Sequence, residues 1–273
     1  MKTLKNHTIF YDEVCPMCNA YTGAFLKTGM LDKEGRQSYQ NMSCTYSAKI
    51  DTARAVNEIA LINKETGEVE YGVKSLFLII GNAFPFFKPL FRFKPFEWLM
   101  DKCYKFISYN RRVIMPSVKG KTGNMNDPSF NLRYRISFLV FTWIVTAFVL
   151  YNYSKLLTGI IPPGNSYREF LICGGQIFWQ LFFVSFTDKS KAWDYLGTMM
   201  TVSFAGGLLL LTGIGILKFL SPAPAVYAGY FILVAAWMLF EHIRRVKILK
   251  LNAMLSVTWV LYRLILLTVI LYA

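Results

Sequence analysis

Five long apolar stretches fill the second half of this chain, and they limit what it can fold into more than any other feature. Residues 136–157, 170–186, 196–217, 223–240 and 253–272 each approach the ~20 residues that a helix needs to cross a bilayer core. Lipid offers the backbone no hydrogen bonds, so such segments are expected as helices. The second and fourth are the shorter ones, which leaves four or five spans. Basic residues cluster on one side: Lys119, Lys121, Arg133 and Arg135 before the first span, Lys189 and Lys191 after the second, and Arg244, Arg245, Lys247 and Lys250 after the fourth. The opposite side carries only Lys155, Arg168 and Lys218. The positive-inside rule then predicts a multi-pass protein of the cell membrane with its N-terminal region in the cytoplasm. Five spans put the C-terminus outside and four put it inside. This distribution accounts for the net charge of +14, so lipid membrane, not nucleic acid, is the expected partner. Met1 to His7 is polar and the next apolar run is only a strand's length, so no secretory signal is expected. Arg263 falls near the middle of the fifth span, a costly depth for a charge, with no acidic residue at matching depth to pair with it. It reads either as a functional group or as a snorkelling one. Ala205-Gly206-Gly207 reads as a close helix contact.

Residues 1–115 read as a separate domain, 116–135 as a linker and 136–273 as the membrane domain. The short apolar run Thr8-Ile9-Phe10-Tyr11 ends just before Asp12, and Cys15-Pro16-Met17-Cys18 follows. A strand that ends in Cys-x-x-Cys and opens a helix places the first thiol at the positive end of the helix dipole, which favours its thiolate. The expected elements are a strand over 8–12, a helix over 16–26, a short strand near 37–40, a helix within 47–56, a hairpin of 58–63 and 68–71, and helices from 73 to 80 and from 96 to 109. The Phe- and Pro-rich stretch 84–95 is expected against the core or a membrane surface. That order is the order of a thioredoxin-like domain. The fold class is therefore an α/β thioredoxin-like N-terminal domain followed by an all-α transmembrane domain.

Asp12-Glu13-Val14-Cys15-Pro16-Met17-Cys18-Asn19 resembles the Asp-x-x-Cys-x-x-Cys signature of the DCC family of thiol-disulfide oxidoreductase-like proteins. Gly72-Val73-Lys74-Ser75 resembles the family's Gly-x-x-Ala/Ser helix start, and Tyr104 to Arg111 resembles its closing Tyr…Asn-Arg segment. The resemblance covers roughly residues 7–115. It implies a thioredoxin-like fold, dithiol-disulfide activity, and frequent linkage to membrane domains. Thioredoxins proper place a cis-proline before the third strand, whereas Arg54-Ala55-Val56-Asn57-Glu58 holds none. Either the substrate is gripped differently, or broad protein-disulfide exchange is absent.

On this reading Cys15, nearer solvent, is the nucleophile and Cys18 the resolving thiol. Asp12 is a proton acceptor or tunes the thiol, or else is a turn residue. Glu13 reads as a solvated turn residue, Cys44 as a free loop thiol, Cys103 as core and Cys173 as a lone cysteine in a span. Ser75 and Tyr104 read as structural, and Arg111 and Arg112 as juxtamembrane charge. The partner is a disulfide or dithiol substrate, or a redox protein. No cofactor motif is visible, and with His7 and His242 the only histidines no closed metal site within one chain is expected. Two alternatives stand beside the oxidoreductase: a soft-metal carrier using the same cysteines, and a non-catalytic membrane interaction module.

Overall fold

A computed structural model of the chain describes residues 1–117, 129–162, 164–219 and 223–272, without the side chains of Cys44 and Lys218. Lys119, Lys121 and most of the expected linker lie outside the described residues. The chain divides into two compact units, Met1–Tyr134 and Arg135–Ala273.

The N-terminal unit holds one mixed sheet. Strand β1 (His7–Tyr11) pairs in parallel with β2 (Arg36–Ser38) and antiparallel with β3 (Ala60–Asn63), which pairs antiparallel with β4 (Val69–Tyr71). The order is β2-β1-β3-β4, with β3 alone running against the other three. Side chains alternate across a strand, and here both faces are covered. Phe10, Ala60 and Ile62 enter one buried cluster with Tyr39 and Ala55, while Ile9 and Leu61 enter another with Leu31, Ile59 and Ile79.

Helix α1 (Pro16–Lys27) follows β1. Two short helices follow, α2 (Cys44–Ser47) and α3 (Thr52–Ala55), the second being the helix expected within 47–56. Asp51 breaks the run: its Oδ1 accepts from Arg54 N at 3.0 Å and starts α3 afresh. The hairpin leads through Gly72 into α4 (Val73–Ala83). Gly72 has φ +62°, and a Cβ there would lie 3.2 Å from Glu58 Oε2, so glycine suits the position twice over. The 84–95 stretch forms a 3₁₀ turn (Pro85–Phe87) and α5 (Lys88–Arg92). Phe91 stacks between Phe77 and Phe87, while Phe86 and Phe93 stay exposed. Helix α6 (Lys94–Ile114) closes the unit and runs five residues past its expected end.

Five helical segments of the second half are long and apolar enough to cross a membrane: Leu132–Leu157, Arg168–Thr187, Lys189–Leu217, Pro224–Ile248 and Met254–Tyr272. The two shorter apolar stretches of the sequence are thus parts of full-length helices. Their helical cores are α7 (Leu132–Ser154), α8 (Arg168–Thr187), α9 (Ala192–Lys218), α10 (Pro224–Ile248) and α11 (Met254–Tyr272). Within this unit α9 packs on α8 and α10, and α11 packs on α8. A Cβ at Gly206 of α9 would run into Met238 of α10, which accounts for the small residues there as a close helix contact. Arg263 finds uncharged partners: Nη1 donates to Gln176 Oε1 at 2.7 Å, and the guanidinium lies 3.4 Å from the Trp259 ring centre. Behind it, Tyr195 Oη donates to Gln180 Oε1 at 2.7 Å and lies 3.2 Å from His242 Nε2, while His242 Nδ1 lies 3.2 Å from Ser256 Oγ.

Candidate active site at the dithiol turn

Strand β1 delivers the chain to Asp12, and a tight turn carries it to Cys15. Cys15 N donates to Asp12 O at 3.2 Å, and Val14 N to Asp12 Oδ1 at 3.1 Å. Cys15 is the N-cap of α1, in extended conformation, and Pro16 fits the first helical turn, where its missing N–H goes unneeded. The capping atom is the sulfur itself: Cys15 Sγ accepts from Cys18 N at 3.4 Å. Asn19 Nδ2 fastens the turn from behind, donating to Glu13 O at 2.6 Å and Cys15 O at 3.2 Å. Arg36 then ties α1 to β2, with Nη2 donating to Asn19 Oδ1 at 2.6 Å and Nε to Thr22 Oγ1 at 2.9 Å.

Both cysteines are buried, Cys15 at 4 % exposure and Cys18 at 6 %, so Cys15 is not the more solvent-accessible thiol that its place at the turn suggests. The Cys15 sulfur is turned over the first turn of α1, where it caps Cys18 N. The two sulfurs differ instead in chemistry. The Cys15 thiol is lowered to about 6 from an ordinary 9.0, first by the hydrogen bond from the Cys18 thiol, then by the Cys18 backbone N–H and the Arg111 charge, against burial and the Asp12 charge. The Cys18 thiol is pushed well up, first by that same bond to Cys15 and then by burial.

Arg111 is the residue that the sequence reading misplaced. It is 5 % exposed and belongs to this site. Its Nη2 donates to Asp12 Oδ2 at 3.2 Å and to Val56 O at 2.9 Å. Asp12, 3 % exposed, also accepts from Gln40 Nε2 at 2.8 Å, and Arg112 Nη2 stands 3.8 Å from its Oδ2. The carboxylate is thus a member of the turn and the anchor of Arg111 at once.

Tyr104, Ser108 and Arg111 recur at four and three residues, one face of α6. All three grip the segment that leads into β3. Tyr104 Oη accepts from Ile59 N at 2.9 Å, Ser108 Oγ donates to Asn57 O, and Arg111 donates to Val56 O. The segment without a proline is therefore clamped from α6. The spacing was there to read: Arg111 continues the Tyr104–Ser108 stripe, and an arginine on the buried stripe of an amphipathic helix needs a buried anion. Ser75 Oγ donates to Glu70 O at 2.7 Å and holds the end of the hairpin. Cys103, expected in the core, is exposed, because it lies off that stripe. Cys44 opens α2, and its side chain lies outside the described ones.

Residues 9–116 match the family model of the DCC1-like thiol-disulfide oxidoreductases. The match bears out the resemblance carried by the Asp-x-x-Cys-x-x-Cys run. It covers the sheet from Ile9 onward, the dithiol turn and α6 to its end, and a helical region follows it. No curated protein and no solved structure matches the chain. Every contact described around Cys15, Cys18, Asp12 and Arg111 thus falls inside the DCC1-like segment.

Proposed function

We propose that the chain is a membrane-anchored thiol-disulfide oxidoreductase whose redox centre is Cys15-Pro16-Met17-Cys18, carried on a thioredoxin-like domain that faces the cytoplasm. The observation that carries this reading is the sulfur cap, in which Cys15 Sγ accepts the Cys18 N–H at the start of α1 beside the Arg111 charge. A sulfur so placed is held as thiolate near neutral pH, the form that attacks or leaves in disulfide exchange. Cys15 is the thiolate of the reduced pair, and Cys18 forms the internal disulfide with it. Asp12 acts by holding Arg111 in place. The strand order, with β3 alone reversed, supports the thioredoxin-like reading, and the basic clusters of the sequence support the cytoplasmic side. The domain is assigned to residues 1–115 and the membrane part to 136–273.

The chemistry needs two sulfurs and no resident cofactor. In a cytoplasm whose thiol pool keeps dithiols reduced, a disulfide at this pair is transient. The test is exchange turnover between glutathione disulfide and a dithiol, catalysed by the full-length protein in detergent. Cys15→Ser and Cys18→Ser are each expected to reduce turnover to background. Turnover retained in both variants overturns the proposal, and stoichiometric copper or zinc that co-purifies and is lost in the same variants favours the soft-metal carrier instead.

A further inference from the structure

Beside the thiol pair lies a cavity of about 310 Å³, at the small end of the roughly 300–1,000 Å³ range of ligand sites. Its wall is largely apolar, with Tyr21, Ile59 and Leu76 among its residues, and the exposed Ile107 marks a side open to solvent. The cysteine on that wall is Cys18. Polar side chains also line it, among them Asp12, Ser108, Tyr39 and Arg111, the last two 6 % and 5 % exposed. Tyr39 Oη and Arg111 Nε have no hydrogen-bond partner among the described residues. Buried donors are seldom left unmatched, and two on one wall call for an oxygen acceptor brought by a ligand. Arg111 keeps its Nη2 on Asp12 and Val56, while its buried Nε–H has no partner among the described residues.

We propose that this cavity takes a small apolar dithiol bearing a carboxylate or carbonyl oxygen, and that the dithiol is oxidised at Cys18. The proposal rests on the dithiol-disulfide reading above. From the Cys15–Cys18 disulfide, a substrate thiolate attacks Cys18 Sγ. A substrate–Cys18 S–S bond forms, the Cys15–Cys18 bond breaks, and Cys15 leaves as thiolate with the bonding pair. The second substrate thiol then attacks the substrate sulfur, releasing Cys18 with a proton. The substrate departs as its own disulfide, two electrons and two protons poorer; the protein pair has gained both electrons and one proton, on Cys18, and the other proton went to solvent when the attacking substrate thiol ionised. A second disulfide substrate re-oxidises the pair. Leaving groups of low pKa depart faster, and Cys15, lowered to about 6, is the better leaving sulfur of the two. With both sulfurs buried, a small molecule inside the cavity reaches Cys18 where the disulfide of a folded protein does not.

Dihydrolipoate is the probe, a dithiol on an apolar chain with a carboxylate, and dithiothreitol is the comparison, a dithiol without one. The full-length protein in detergent is oxidised to the Cys15–Cys18 disulfide, and its reduction is followed by alkylation and mass against reductant concentration. The expected result is saturation with dihydrolipoate and linearity with dithiothreitol. Tyr39→Phe removes one donor and is expected to lower the dihydrolipoate-to-dithiothreitol rate ratio about fivefold, the value of one hydrogen bond, and Leu76→Trp fills the cavity and is expected to abolish the saturation. Linear dependence on both reductants, or a ratio unchanged in Tyr39→Phe, overturns the cavity proposal while leaving the exchange reading intact. A pair that never forms the disulfide overturns both.

Discussion

Arg111 holds the site together at the level of single residues, because its charge meets Asp12 on one side and acts on both sulfurs on the other. Removing one partner of a buried ion pair leaves the other charge uncompensated, at a cost of about 3–5 kcal/mol. Arg111→Met is therefore expected to destabilise the N-terminal unit by about that much, read by chemical denaturation of the full-length protein, and to raise the Cys15 thiol, read by ultraviolet thiolate absorbance against Cys15→Ser. An unshifted Cys15 titration in a folded Arg111→Met protein would remove Arg111 from the account. The lowered Cys15 thiol also makes stability depend on pH. Its folded value, about 6, lies below the ordinary 9.0, so the unfolded chain binds the extra proton between them. The contribution of Cys15 to the reduced protein is complete above pH 9, shrinks as the pH falls, and is gone below about 6. Denaturation profiles of the reduced protein and of Cys15→Ser are expected to diverge across that window as pH rises, and parallel profiles would contradict the shift. The cysteine turn was legible because Asp12, Cys15 and Cys18 lie within seven residues and local rules govern them. Arg111 was not, because its partner lies 99 residues away.

Among the elements, α6 decides how the sheet meets the dithiol turn. Its Tyr104–Ser108–Arg111 face satisfies backbone groups of the segment entering β3, which no strand pairing reaches. Tyr104→Phe leaves Ile59 N–H buried without its acceptor and is expected to cost about 1–3 kcal/mol. The conservative loss of one oxygen separates this role from packing, since the ring remains. Denaturation midpoints equal to wild type would contradict it. The strands, hairpin and major helices followed from the short apolar runs and the turns between them. The separate helix before Asp51 did not, because the apolar residues alone do not show that Asp51 caps a second turn of helix. Helix α6 ran past its expected end for a related reason: Asn110-Arg111-Arg112 looks like a helix terminus in sequence, while burial of Asn110 and Arg111 carries the helix onward.

For the whole molecule, the half with five long apolar helices was the easier part to read, since length and hydropathy alone mark helices able to cross a membrane. Its interior was less legible. The partners of Arg263 are Gln176, 87 residues away, and the ring of Trp259, so a search for a matching acid finds nothing. The proposed orientation is testable with a membrane-impermeant maleimide on intact cells. Tyr167→Cys, at a 73 % exposed position between the first and second spans, is expected to label from outside. Ser190→Cys, in the turn between α8 and α9, is expected to label only after permeabilisation. The reverse pattern would place the DCC1-like segment outside the cytoplasm. The central claim, that Cys15 and Cys18 form one redox centre in this protein, is tested most directly by its reduction midpoint. The full-length protein is equilibrated across a series of glutathione or dithiothreitol buffers and followed by alkylation and mass. The expected result is a clean two-electron transition of the Cys15–Cys18 pair within roughly −120 to −270 mV, the range of known oxidoreductases. Failure of the pair to form a disulfide at any poise would contradict the account.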